Sequence, residues 1–177
     1  MKLKFRKKPL IVITLTLMGL FLCINTVVDN FIINSSDSLP HYLYKRTHSL
    51  EGLNHDSIVL ICADKKSTPM LYQLLKKYHP QLIDRYTVCK GEISPLIKKI
   101  GALPHDRVVA SGDKEIIVNN KELKGTTAHQ KLEAFKYTGE VPADRYLVYT
   151  PNPNSLDSRY FGFVTKKELM EILIPVF

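Results

Sequence analysis

Two short stretches of the chain hold residue types that could cleave a peptide bond. One is Ser36-Asp37-Ser38-Leu39-Pro40, the other Leu96-Ile97-Lys98-Lys99-Ile100. A serine hydroxyl becomes a useful nucleophile when a base takes its proton, and a neutral lysine amine can be that base. The second stretch reads as a strand, so its side chains alternate faces. Lys98 then shares a face with Leu96 and Ile100, and Lys99 with Ile97 and Gly101. An amine held between two large aliphatics is desolvated, which disfavours the ammonium and lowers its pKa. Strand parity therefore selects Lys98 as the candidate base. The ordinary reading is a solvated lysine beside a snorkelling one, with the serines in a plain exposed turn. On spacing alone the ordinary reading weighs more.

Other chemistries find less support. The six histidines include no HExxH pattern and no close pair, and the three cysteines lack zinc spacing. There is no Gly-rich phosphate loop, so no metal or cofactor is expected. The chain carries a net charge of +8, but MKLKFRKK at its start holds five of the 25 basic residues. The remainder has 20 basic residues against 17 acidic ones. No basic stripe interleaves with aromatics, which argues against nucleic acid as a partner.

Residues 9–28, PLIVITLTLMGLFLCINTVV, carry no charge. Twenty helical residues span roughly 30 Å, about one hydrocarbon core. The run is longer than a usual secretory h-region, and no A-x-A-like site follows it. It reads as an uncleaved anchor. With the basic cluster before it, the positive-inside rule puts residues 1–8 in the cytoplasm and 29–177 across the membrane. The bilayer itself is thus an expected partner, and for a bacterium the location is the inner membrane with a periplasmic domain. In that oxidising compartment Cys62 and Cys89 are expected to pair, the alternative being two buried thiols.

Beyond the anchor an extended entry segment (29–45) leads to a strand at 56–63 and a helix at 67–78. The helix has Ser67 or Thr68 to cap it, Pro69 in its first turn, and Leu71, Leu74 and Leu75 on one face. A short strand is expected around YTVCKG. Residues 94–123 read as strands with turns at Pro104-His105-Asp106, Gly112-Asp113 and Asn119-Asn120. Residues 129–136 read as a short helix or an irregular excursion, and 145–153 as a strand entering a turn. A strand is expected at 159–164, then a short helix and an extended tail. Short strands with little room for crossover helices predict a mainly β fold of antiparallel sheets with one N-terminal transmembrane helix.

Three boxes, in order behind the anchor, carry a family resemblance. Ser36 to Pro40 resembles the S-x-S-L-P nucleophile box of type I signal peptidases. IKKIGALPHD (97–106) resembles their lysine box, and NSLDSRYFG (154–162) their terminal S-x-D-S-R-x-x-G box. N-S-S-D-S-L-P-x-x-L-Y, DSRYFG and the Cys62/Cys89 pair are most similar to the conjugative-transfer, TraF-type branch, which matures pilin subunits.

The resemblance implies the signal-peptidase/LexA-like β fold and a role for each matching residue. Ser38 matches the nucleophile and Lys98 the general base. Ser36 matches an oxyanion donor alongside the Ser38 backbone N–H. Ser155 matches the serine that orients the lysine. Asp157 matches an orienting carboxylate, paired with a structural Arg159. The resemblance implies a membrane-anchored serine endopeptidase acting on a conjugative pilin precursor, in some members with cyclisation of the product. A general signal peptidase for exported preproteins is the nearer alternative. A non-enzymatic assembly factor of the transfer apparatus is the more distant one. Ile32, Ile33 and Leu39 are placed as pocket residues by proximity to the serine. Two positions depart from the branch: Tyr42 and His105 stand where glycine is usual, which puts the turn geometry in question.

Overall fold

In a computed structural model the chain is described at residues 7–34, 36–78, 89, 95–129 and 132–176. Helix α1 (Lys7–Asn30) runs straight into strand β1 (Phe31–Ile33), which pairs with β2 (Leu43–Arg46). Within α1, Ile11–Asn30 is long and apolar enough to cross a membrane, with mean hydropathy 2.4 and none of its apolar window buried. Then come β3 (Ile58–Ile61), α2 (Pro69–Tyr78), β4 (Leu96–Ala102) and β5 (Arg107–Ala110). β6 (Ile116–Val118), β7 (Lys121–Leu123), β8 (Tyr137–Glu140) and β9 (Arg145–Tyr149) follow. The chain closes with α3 (Ser158–Phe161), β10 (Val164–Thr165), a 3₁₀ turn (Lys166–Glu168) and β11 (Leu169–Pro175).

The strands form two antiparallel sheets, β1-β2-β11-β3-β4-β9-β10 and β7-β6-β5-β8. Val59, Ile61, Ile100 and Val148 cover one face of the larger sheet and pack with Leu71 and Leu75 of α2 and Phe161 of α3. Leu39, Tyr44, Leu60 and Leu173 form a second cluster, with Ile97 against it. A third, including Val108, Val118 and Leu147, holds the smaller sheet to β9. Gly101 is the extra residue of a bulge where β4 passes β9. A Cβ there would come within 2.8 Å of the terminal methyls of Leu123 and Leu147, so a larger residue would have to push those side chains aside. Cys62 and Cys89 are joined in a disulfide that closes 27 residues. Loops of that size contribute about 3 kcal/mol by the chain-entropy account.

Three expectations need correction or extension. Residues 159–161 are helical rather than extended, because the Asp157 carboxylate caps the Arg159 N–H and turns the chain back. The segment after Glu168 is a seven-residue strand lodged between β2 and β3, not a tail. Its buried positions are Leu169, Glu171 and Leu173, so the period-2 pattern has a glutamate in its inward set. Strand β8 was not anticipated. Residues 132–136 are irregular, and the strand expected around YTVCKG lies outside the described residues apart from Cys89.

Two buried carboxylates fix β11. Glu168 accepts from the N–H groups of Asp64 and Thr165 and from the hydroxyls of Thr165 and Thr68. Glu171 takes Arg46 at 2.7 Å and the His48 N–H at 2.8 Å. Removing a buried carboxylate leaves several donors unsatisfied at 1–3 kcal/mol each, so Glu168→Ala is expected to lower unfolding free energy by on the order of 3 kcal/mol. Urea denaturation of the two proteins checks this.

Candidate active site

The register of β4 buries Lys98. It lies opposite Val59 of β3, two residues before Ile100, which lies opposite Val148 of β9. Lys98 is 3% exposed. Lys99 points the other way, with Nζ 3.6 Å from the Asp56 carboxylate. Burial pushes the Lys98 amine down to about 8, the nearby Asp157 carboxylate acting against this and the Arg159 guanidinium with it. The Lys98 ammonium or amine donates to Ser155 Oγ at 2.7 Å. A neutral amine has two N–H bonds and one lone pair, so tethering one N–H limits where the lone pair can point.

Residues 150–159 wrap around this amine. The Ser155 N–H donates to Asn152 O at 3.1 Å, closing a turn after β9. Arg159 folds back on Asp157 with Nε and Nη2 each 2.7 Å from a carboxylate oxygen. Its remaining donors reach Thr150 O at 2.8 Å and Pro153 O at 3.1 Å. Asp157 also accepts from the Thr150 N–H at 3.0 Å. Both residues are buried, and bidentate pairing with full hydrogen bonding makes that tolerable.

Ser36 and Ser38 sit on a separate turn between β1 and β2. Buried Asn34 closes it: Oδ1 accepts from the Ser36 N–H at 3.1 Å and the Ser36 hydroxyl at 2.8 Å. Leu39 is buried, which pins the turn to the core, and Ser38 is half-buried. Ile32 packs against the same cluster, whereas Ile33 is exposed. The Asn152 side-chain amide donates to Asp37 O at 2.8 Å and joins this turn to the 150–159 segment.

The structure thus brings Lys98, Ser155, Asp157 and Arg159 together and holds Ser36 and Ser38 on a neighbouring turn. Among the described residues no hydrogen bond joins Ser38 to Lys98. In unliganded enzymes such contacts are often long and tighten with substrate. Asn34 and Asn152 were given no role from sequence; an asparagine next to a serine turn was the available signal. Tyr42 is not at positive φ, so that turn does not require glycine. His105 does stand at φ 69°, held by its N–H on Val141 O at 2.8 Å. Among the described residues no group of three or more His, Cys, Asp or Glu side chains could hold a metal.

An anchor-like helix, two antiparallel sheets and a buried lysine beside a serine turn are features of a membrane-tethered peptidase. The family described as "Signal peptidase, peptidase S26" matches residues 6–174, and the chain belongs to that family. Among curated proteins it is 33% identical over 96 residues to a conjugal transfer protein TraF of Agrobacterium tumefaciens (strain 15955), covering 52% of this chain and 54% of that one. The TraF of Agrobacterium fabrum (strain C58) is 32% identical over 97 residues, with the same coverage. The chain spans about half the length of the curated relatives it matches. A crystal structure of a signal peptidase I from Enterococcus faecalis V583 is similar at TM-score 0.42 and 20% identity, covering 70% of this chain and 98% of that one.

Two outcomes follow from the Lys98 environment. Its folded pKa of about 8 lies below the ordinary 10.5, so between those values the unfolded chain binds more protons. The cost of burying Lys98 is therefore full below about 8 and is relieved as pH rises towards 10.5. Lys98→Met is expected to stabilise the fold, and the gain should shrink between roughly pH 7 and roughly pH 10; denaturant midpoints across that range read it directly. Arg159→Gln is expected to raise the Lys98 pKa and Asp157→Asn to lower it, as an NMR titration of the Lys98 side chain would register.

Proposed function

We propose that the chain is a membrane-anchored serine endopeptidase working through a Ser38/Lys98 dyad. The observation that carries the reading is a buried lysine, its amine lowered to about 8 and tethered by Ser155, with the serine turn tied to the same segment. Neutral Lys98 takes the Ser38 proton as Oγ attacks the scissile carbonyl. The Ser38 N–H and the Ser36 hydroxyl stabilise the oxyanion, donors often worth 2.7–4 kcal/mol each. The Lys98 ammonium then protonates the leaving amine, and an acyl-enzyme on Ser38 remains. Water, deprotonated by Lys98, completes hydrolysis. Asp157 and Arg159 act by bracing the segment that carries Ser155.

The substrate we infer is a conjugative pilin precursor with small side chains before the scissile bond. The likeness to two conjugal transfer proteins supports it over a general preprotein peptidase. The α1 anchor, with its basic start, supports a cytoplasmic N-terminus and a periplasmic site in the bacterial inner membrane. A substrate amine could resolve the acyl-enzyme in place of water and give a cyclic pilin.

The test is pilin-precursor processing in cells carrying wild type, Ser38→Ala, Lys98→Ala or Lys99→Ala. Processing is expected to be lost with the first two substitutions and kept with Lys99→Ala. Maturation by Ser38→Ala with no other peptidase present overturns the reading and leaves an assembly factor in its place. The mass of the mature pilin separates the outcomes further, since a linear product is one water heavier than a cyclic one.

A further inference from the structure

The turn that carries Ser38 has little of its own to keep it rigid. Ser36, Asp37 and Pro40 are exposed, and Leu39 is its one buried anchor. Among the described residues, the backbone bond bracketing it is the Asn34 N–H to Tyr42 O at 2.8 Å. The carbonyls inside the turn are taken instead by side-chain amides. Asn34 Nδ2 donates to His41 O at 3.2 Å and to Leu39 O at 3.4 Å. Asn152 Nδ2 donates to Asp37 O at 2.8 Å. Alternate carbonyls at 37, 39 and 41 are thus each held by an asparagine.

Asn34 is fully committed, and Asn152 uses its amide oxygen, one amide proton and its backbone carbonyl. Asn34 is 5% exposed and uses both amide protons, while its Oδ1 accepts twice from Ser36. Asn152 Oδ1 accepts the Asn154 N–H at 2.8 Å, and its backbone carbonyl accepts the Ser155 N–H at 3.1 Å. One residue therefore fixes the turn that presents Ser155 to Lys98 and, through its amide, the turn that presents Ser38. Ser36 adds a consequence. Its single hydroxyl proton rests on Asn34 Oδ1, so Ser36 must rotate away from Asn34 to serve an oxyanion.

We propose that Asn34 and Asn152 are positioning residues for the nucleophile turn, Asn34 closing it from within and Asn152 locking it to the segment that orients the lysine. The proposal rests on the Ser38/Lys98 reading. Misplacing a reacting group by about 1 Å can cost roughly 100-fold in rate, with little effect on ground-state binding.

The experiment uses the full chain in detergent and an internally quenched peptide with alanine before the scissile bond. Asn152→Ser keeps an acceptor for the Asn154 N–H, because serine makes the same local turn, but it cannot reach Asp37 O. Asn34→Asp keeps both acceptor contacts to Ser36 and loses both donors. For Asn152→Ser, kcat is expected to fall roughly 10- to 100-fold, with KM, the thermal midpoint and the acid limb of the pH profile unchanged. Asn34→Asp is expected to show the same split between kcat and KM. A kcat equal to wild type in folded Asn152→Ser overturns the proposal. So does a loss that tracks only the fraction of folded protein, or one that comes with a shifted acid limb, since the effect would then run through Lys98. Ser38→Ala, measured alongside, keeps the two ideas apart. Full activity in it sinks the peptidase reading, whereas an inactive Ser38→Ala beside a fully active Asn152→Ser sinks the positioning proposal alone.

Discussion

Burying the Lys98 amine is the constraint around which the site is built. An ammonium is poorly solvated between Val59, Ile100 and Val148, so the fold gives up stability to hold it there. Lys98 is 3% exposed and its amine is tethered to Ser155 Oγ, so it does not snorkel to solvent. The neighbouring charges would offset part of the effect if they were unbalanced. Asp157 alone favours the ammonium; Arg159, locked to it by two hydrogen bonds of 2.7 Å, opposes that pull. What remains is mainly desolvation, which brings the amine down to about 8 and so leaves a minor fraction of it neutral at neutral pH.

The same sheet treats its other buried charges differently. Glu168 and Glu171 are surrounded by donors, and each links strand β11 to a neighbouring segment. Arg159 likewise spends its guanidinium on one carboxylate and two carbonyls. Among the described residues Lys98 has a single acceptor, Ser155 Oγ. Full satisfaction makes a buried charge a structural tie. Partial satisfaction leaves a lone pair or proton available for reaction, and of these four residues Lys98 alone is in that position.

How legible this was in the sequence depended on which physical pattern each residue obeyed. Strand parity put Lys98 on the buried face because Leu96 and Ile100 flank it on the same side. Leu71 and Leu75 revealed the buried face of α2 in the same way. No strand was legible at β11, where Glu171 occupies an inward position and its partner Arg46 is 125 residues away. Local propensity failed at Arg159-Tyr160-Phe161, which looks like a strand until Asp157 is known to cap it. Ser36, Ser38, Ser155 and Asp157 were singled out by their boxes, not by composition. Asn34 and Asn152 stayed hidden because an asparagine in a turn carries no mark of which carbonyl its amide will reach.

The junction between α1 and β1 sets where such a site can work. Asn30 ends the helix and Phe31 begins the strand, with no linker between them. If α1 spans the bilayer, β1 is fixed at its surface, and three strand residues advance the chain only about 10 Å. The Ser38 turn follows at once and is held short by Asn34. Ile33 on the edge strand β1, Tyr42 just before β2 and Ile174 on the interior strand β11 are exposed, and Ile174 lies opposite Lys45 across β11 and β2. With the helix and the first strand joined directly, the turn that carries Ser38 stays within a few residues of the end of α1.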